Sequence, residues 1–237
     1  MQRVPRMETS SPRVGMSATQ QNRAIGNWLA EPFKPNEVLA DDTHTRPVTM
    51  PGSGQWFRKH PAFTAWVKSA HPCALWVHGP PGCGKTNLAN RVHEFWVDED
   101  EMIEYGVEAI FFHLRNVATM KEYKAGTILH QMLFHAAWSK KEQKFSECVG
   151  REYDARCERS VRTGDLFCPT EEDCIAMLIA ISNDRPLPFV LDGVEKCCET
   201  ARERIIRALH TISTQCQHQP VKIMVFSHVE RDMVSFE

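Results

Sequence analysis

Apolar residues follow two rhythms along this chain, short unbroken runs and stripes spaced three or four apart, and the two alternate from about residue 70 onward. Ala74 to His78, Val107 to Leu114, Leu187 to Leu191 and Val221 to Phe226 are runs of strand length. Between them, Leu88, Val92, Phe95 and Trp96 define a helix from about Lys85 to Val97. Ile128, Leu129, Met132, Leu133 and Ala136 mark a second, and Ile205, Ile206, Leu209 and Ile212 a third around Arg202 to Thr211. Thr170 ahead of Glu171, Glu172 and Asp173 is a capping residue followed by acids in a first turn, which predicts a helix over Cys174 to Ser182. Unbroken apolar strands alternating with helices predict an α/β fold, a parallel sheet flanked by helices in three layers, with ligands at the carboxyl ends of the strands. Ala74 to His78 is expected as a central, buried strand.

The flanking pattern is different. Residues 1–22 are rich in Ser, Thr, Gln, Arg and Pro without a hydrophobic period and are expected to be disordered. Residues 23–70 are expected as a helical and irregular extension that packs on the core of residues 71–237. Within it, a short helix from near Asn22 presents Ile25, Trp28 and Leu29, and Pro32 to Pro51 is a punctuated connection. Trp56, Phe57, Phe63, Trp66 and Val67 fit helical turns restarted at Pro61. Lys140 to Ser160 is highly charged and predicts a solvated helical surface insertion.

Composition narrows the classes. At 237 residues, one sizeable core is the default. No apolar run approaches the roughly eighteen residues of a membrane span. A formal net charge of -2 sets aside nucleic acid and anionic lipid as dominant partners. The nine cysteines form no Cys-x-x-Cys pair, and Cys216 and His218 lack partners at zinc-site spacing. Free thiols and no signal-peptide core predict a cytoplasmic protein. Arg3, Arg6 and Arg13 suggest a presequence, but Pro5 and Pro12 break the helix it needs.

The chemistry concentrates in Gly79-Pro80-Pro81-Gly82-Cys83-Gly84-Lys85-Thr86, which matches the phosphate-binding loop Gly-x-x-x-x-Gly-Lys followed by Ser or Thr. It stands between a predicted strand and a predicted helix, as that motif requires. Gly79, Gly82 and Gly84 allow backbone N–H groups to turn inward around a phosphate, and the helix adds its positive end. Lys85 can bridge the β- and γ-phosphates, Thr86 Oγ can hold Mg²⁺, and Asn87 extends the binding segment into the helix. Cys83 is expected as a tolerated variable position. His44, His78 and His113 are expected as structural or surface residues, and Cys197 and Cys198 as helix packing.

A second metal-holding acid is expected at the end of an apolar strand, and Asp192 closes Leu187 to Leu191. A turn-forming Asp before Gly193 is the alternative. Glu195, within one turn, is placed to position an attacking water, with a solvated surface acid as its alternative.

These segments together resemble NACHT domains. Trp28-Leu29, Gly52-Ser53-Gly54-Gln55-Trp56-Phe57, Phe63, Trp66 and Leu75-Trp76-Val77-His78 resemble the entry region of the nephrocystin-like N-terminal NACHT domains of fungal NLR-type proteins. Val190 to Cys197 looks like the family's extended Walker B, in which Asp, Ala or Gly, Leu, Asp, Glu and Cys follow a hydrophobic run. Val221 to His228 looks like its sensor strand, with Ser227 and His228 at the sensor positions. The resemblance implies a signal-transduction ATPase of the STAND class, switched between closed and oligomerising forms by exchange of ADP for ATP. Two positions depart from the pattern: Lys196 replaces the last acid and His228 the sensor arginine. The sequence ends at Glu237 without a winged-helix region or repeat array, and a fragment or a reduced family member is expected.

The expectation is therefore an Mg²⁺-dependent switch domain binding ATP or ADP, with the choice between ATP and GTP left open by the residues. At most it is a slow nucleoside-triphosphatase, with Lys85 and Glu195 as its catalytic groups. Protein partners or self-association would act through regions outside this chain, with no nucleic acid and no membrane. An efficient NTPase or phosphotransferase, and a degenerate structural module, are the alternatives.

Overall fold

Four apolar runs become the strands of one parallel sheet in the computed structural model, which describes residues 16–31, 50, 52–98, 109–114, 125–139, 142–164 and 166–228. The strands are β1 (Cys73–His78), β2 (Ile110–His113), β5 (Phe189–Asp192) and β6 (Lys222–Ser227), in spatial order β1-β6-β5-β2. Of the segment expected to be disordered, 1–22, residues 1–15 lie outside the described residues and Ala18 to Asn22 are helical instead; most of the connection up to Pro51 and strand residues 107 and 108 also lie outside them. Among the described residues, no helix is long and apolar enough to cross a membrane.

The chain divides into two compact units, residues 39–125 with 182–237 and residues 1–38 with 126–181. The sheet belongs to the former. There α2 (Gln55–Arg58), α3 (Pro61–Lys68) and α4 (Lys85–Asp98) flank it. Phe57, Phe63, Trp66, Ala89 and Val92 from these helices pack with Val190, Met224 and Phe226 from the strands. Burying each such large side chain is worth about 1.5–3 kcal/mol. Trp66 also donates its indole N–H to the Ile223 carbonyl at 3.0 Å, so its one polar atom is satisfied inside the core. The helix after β5, Glu199–Gln215, buries Ile205, Leu209 and Ile212 on one stripe, which is the predicted third amphipathic helix with longer ends.

One expectation about the sheet is corrected. β1 is not central: among the described strands its only neighbour is β6, and Ala74 and His78 are exposed. The crossover after β5 returns β6 between β1 and β5, so the central places go to the strands ending in Asp192 and Ser227. An unbroken apolar run says that a strand is covered on its faces but not how many neighbours it has.

The other unit is helical. It holds α1 (Ala18–Ala30), α5 (Ala125–Ala137) from Gly126 onward, α6 (Glu147–Thr163) and most of α7 (Glu171–Asp184), with the hairpin β3 (Trp138–Ser139) and β4 (Lys144–Phe145). α1 starts at Ala18, ahead of the expected Asn22, because Ser17 and Gln20 form a capping box. The charged segment is no solvated insertion: α6 lies against α1, with Tyr153 5.4 Å from Trp28 and the Arg156 guanidinium 5.8 Å over the same indole. Charged residues hid this contact because Arg covers apolar surface with its stem while its head pairs with Glu152 and Asp173 at 2.7 Å each. At the start of α7, Thr170 Oγ1 accepts from Asp173 N and Asp173 Oδ2 accepts from Thr170 N, the expected cap.

Candidate nucleotide-binding site

Between the end of β1 and the start of α4, the chain has a short distance in which to reverse, and glycines make the turn. Gly82 and Gly84 hold φ of 77° and 93°, a region that side chains disfavour. The Lys85 ammonium folds back into the loop and donates to the carbonyls of Gly79 at 2.8 Å and Pro80 at 3.0 Å. The Cys83 thiol lies 3.8 Å from the same nitrogen and is exposed. Thr86 and Asn87 are exposed on the first turn of α4, whose free N–H groups and dipole add positive potential at the loop. Strand, glycine-rich loop, inward lysine and helix N-terminus thus meet in one place.

A cavity of about 280 Å³ opens beside the loop. It is lined by Cys83, Gly84 and Lys85 of the loop, by Asn87, Leu88 and Arg91 of α4, and by Ser53, Gly54 and Trp56 ahead of the core. Neither Thr86 nor Asp192 lines it.

The acids gather at the ends of the central strands. Asp192, with 4% of its surface exposed, pairs in register with Phe226 on β6 and His113 on β2. Strand side chains alternate, so Asp192 shares the face of Val190, the face that carries α4. One intervening strand, β6, separates β5 from β1, which sets them about 10 Å apart. Asp192 Oδ2 lies 3.4 Å from His113 Nδ1, while His113 Nε2 is buried with no hydrogen-bond partner. His113 was expected as a structural or surface residue, yet it stands beside the buried acid. The signal was present: like Asp192, it is a polar residue closing an apolar run.

Gly193 turns the chain after Asp192 at φ 84°, donates its N–H to Phe226 O at 3.0 Å, and leads into a short 3-10 helix, Val194–Lys196. That helix turns Glu195 back toward β6, where His228 Nε2 lies 3.5 Å from Glu195 Oε1. The other oxygen, Glu195 Oε2, is buried without a partner. Lys196, which replaces the last acid of the family pattern, is exposed, its ammonium beside Gly193. Ser227, 2% exposed, accepts the Trp76 indole N–H at 2.7 Å and donates to the His228 carbonyl, which fixes the end of the sensor strand. Sequence reasoning missed Trp76 as a support for Ser227. Cys197 is buried, and that burial, ahead of the charges around it, pushes its thiol up to about 11, so it stays protonated.

The loop offers a cationic side chain and a helix N-terminus, and the ends of β5 and β6 offer the carboxylates of Asp192 and Glu195 beside the imidazoles of His113 and His228. Sheet and site define a parallel α/β protein with a glycine-rich loop opening its first crossover. Residues 52–228 match the nephrocystin 3, N-terminal family, and the chain belongs to that family, which is NACHT-like in kind. No curated protein matches the chain.

Proposed function

We propose that this chain binds ATP or ADP with Mg²⁺ and acts as a regulatory switch of the NACHT and STAND type, with slow turnover. The observation that carries the reading is the Lys85 ammonium held by the Gly79 and Pro80 carbonyls inside a glycine-rich loop at a helix N-terminus. An ammonium that spends its hydrogen bonds on two neutral carbonyls gains when phosphate oxygens replace them, because charge-assisted bonds are about twice as strong.

Mg²⁺ fits the donor set. Thr86 offers a hydroxyl on the first turn of α4, and Asp192 a buried carboxylate on the sheet face beneath that helix; both are hard oxygen donors. The ion would neutralise phosphate charge, and these two residues would hold it. Glu195 would orient water, but His228 stands on it. Slow chemistry suits a domain whose bound nucleotide biases two conformations. The free thiols support a cytoplasmic setting, and the resemblance supports the fungal NLR-type context and self-association through other regions.

Thermal denaturation tests the reading. Mg-ATP or Mg-ADP near 100 times Kd is expected to add about 2.7 kcal/mol. Lys85→Ala is expected to abolish the shift, and Asp192→Ala to remove its Mg²⁺-dependent part. A wild-type protein unmoved by millimolar ATP, ADP and GTP would overturn the proposal.

A further inference from the structure

Trp56 is a large apolar side chain left 63% exposed on the rim of the cavity beside the glycine-rich loop. Its neighbour Phe57 is buried, 5.0 Å from Phe63 and 6.3 Å from Phe226, so the short helix α2 is anchored through one aromatic while presenting the other outward. The rings beside Trp56, those of Phe57 and His60, stand at 78° and 84° to it. No parallel ring covers the indole among the described residues.

The turn before Trp56 is seated on α4. Arg91 donates Nε–H to the Ser53 carbonyl at 2.8 Å and forms an ion pair with Glu94. Gly54 comes so close that an added Cβ would lie 3.2 Å from both Leu88 and Arg91 side-chain carbons. A strap fixed in this way holds the indole in the lining of the same cavity as Lys85. The lining of that cavity combines cationic and polar groups, Lys85, Gly84 and Asn87, with the exposed indole of Trp56. A ligand matching both carries phosphate for the one and a flat, apolar-faced ring for the other.

We propose that this cavity receives the nucleobase of the bound nucleotide, with Trp56 as its stacking platform and the Ser53–Trp56 turn as the base-side wall. The proposal rests on the nucleotide reading above and adds the residue that would read the base end. Stacking tolerates every base, so Trp56 supplies affinity for a nucleoside, while Ser53 and Asn87 are placed to hydrogen-bond its edge.

Equilibrium binding of ATP, ADP and inorganic tripolyphosphate to wild type, Trp56→Ala, Trp56→Phe and Lys85→Ala tests it. Trp56→Ala is expected to weaken ATP and ADP by about 5- to 100-fold, the scale of one aromatic–base stack, and to leave tripolyphosphate unchanged. Trp56→Phe keeps most of the affinity. Should Trp56→Ala prove unstable, the readout is quenching of wild-type tryptophan fluorescence by ATP but not tripolyphosphate, with the quench reduced in Trp56→Phe. Unchanged ATP affinity in Trp56→Ala, an equal loss for tripolyphosphate, or tripolyphosphate binding wild type as tightly as ATP each overturns the base site while the phosphate reading stands. ATP binding that is indifferent to Lys85→Ala, or absent from wild type, overturns both.

Discussion

His228 Nε2 lies 3.5 Å from Glu195 Oε1, at the end of the strand pair that also carries Asp192. The two side chains differ in exposure, 37% for the imidazole and 12% for the carboxylate, so the histidine caps the acid from the solvent side. A carboxylate already in contact with an imidazole has fewer lone pairs free to orient a water. Hydrolysis is therefore expected to be slow, well under the roughly 1–100 s⁻¹ of kinases. Glu195→Gln is expected to keep nucleotide affinity and remove what turnover there is. Lys196→Glu alone is expected to leave turnover within about twofold, since its side chain points to Gly193 rather than to Glu195. Single-turnover hydrolysis on saturated protein decides; wild-type chemistry in the kinase range would refute the slow-switch reading.

The backbone at Gly193 makes a second prediction. A Cβ there would sit 2.6 Å from the Leu114 carbonyl, an atom of the neighbouring strand end that accepts no compromise because Leu114 N is bonded to Asp192 O at 2.7 Å. The positive φ of 84° adds its own cost. Gly193→Ala is expected to destabilise the protein by about 1–3 kcal/mol and to displace Asp192 and Glu195 on either side. A urea denaturation curve superimposable on wild type would show that the β2 and β5 ends do not lock together here.

The strands and helices of this fold were largely legible because their apolar rhythms are strong, and the glycine loop because eight consecutive residues match one chemistry. Neighbourhood was not legible. The edge position of β1 depends on where the β5-to-β6 crossover lands, and nothing local to Ala74–His78 encodes it. The approach of His113 to Asp192 needs the parallel register of β2 on β5, a long-range fact. Nor was the neighbour of Glu195 legible: Lys196 is adjacent in sequence, but in a 3-10 turn adjacent side chains diverge, and His228, distant in sequence, arrives instead. Charge concealed α6, since Arg156 and Glu152 read as solvent-facing until Trp28 and Asp173 are placed beside them.

That last cluster carries a pH dependence. Burial would raise the Asp173 carboxyl, but hydrogen bonds from Thr170 N, the Arg156 guanidinium and the Thr170 hydroxyl, with the Arg156 charge, outweigh it and hold the group below its ordinary value. The same contacts hold the Arg156 guanidinium up against its own burial. A carboxyl whose pKa is lower in the folded chain than in the unfolded one binds its proton more readily when unfolded. Its contribution to stability is therefore complete above the unfolded value, about 3.9, and is lost as pH falls through the folded one. Asp173→Asn keeps an oxygen for the Thr170 N–H but loses the charged pair, so it is expected to cost about 1 kcal/mol at pH 7. The deficit relative to wild type is expected to shrink as pH falls below the unfolded value, about 3.9, and through the lower folded one, where wild-type Asp173 takes up its proton as well. Glu152 also holds Arg156, at 2.7 Å, so Glu152→Gln is the companion variant and should weaken the acid dependence without removing the α7 cap. Urea denaturation at a series of pH values measures all three proteins. A deficit for Asp173→Asn that stays constant down to the pH at which wild type itself unfolds in acid would show that the residue acts through its cap geometry alone and not through its charge.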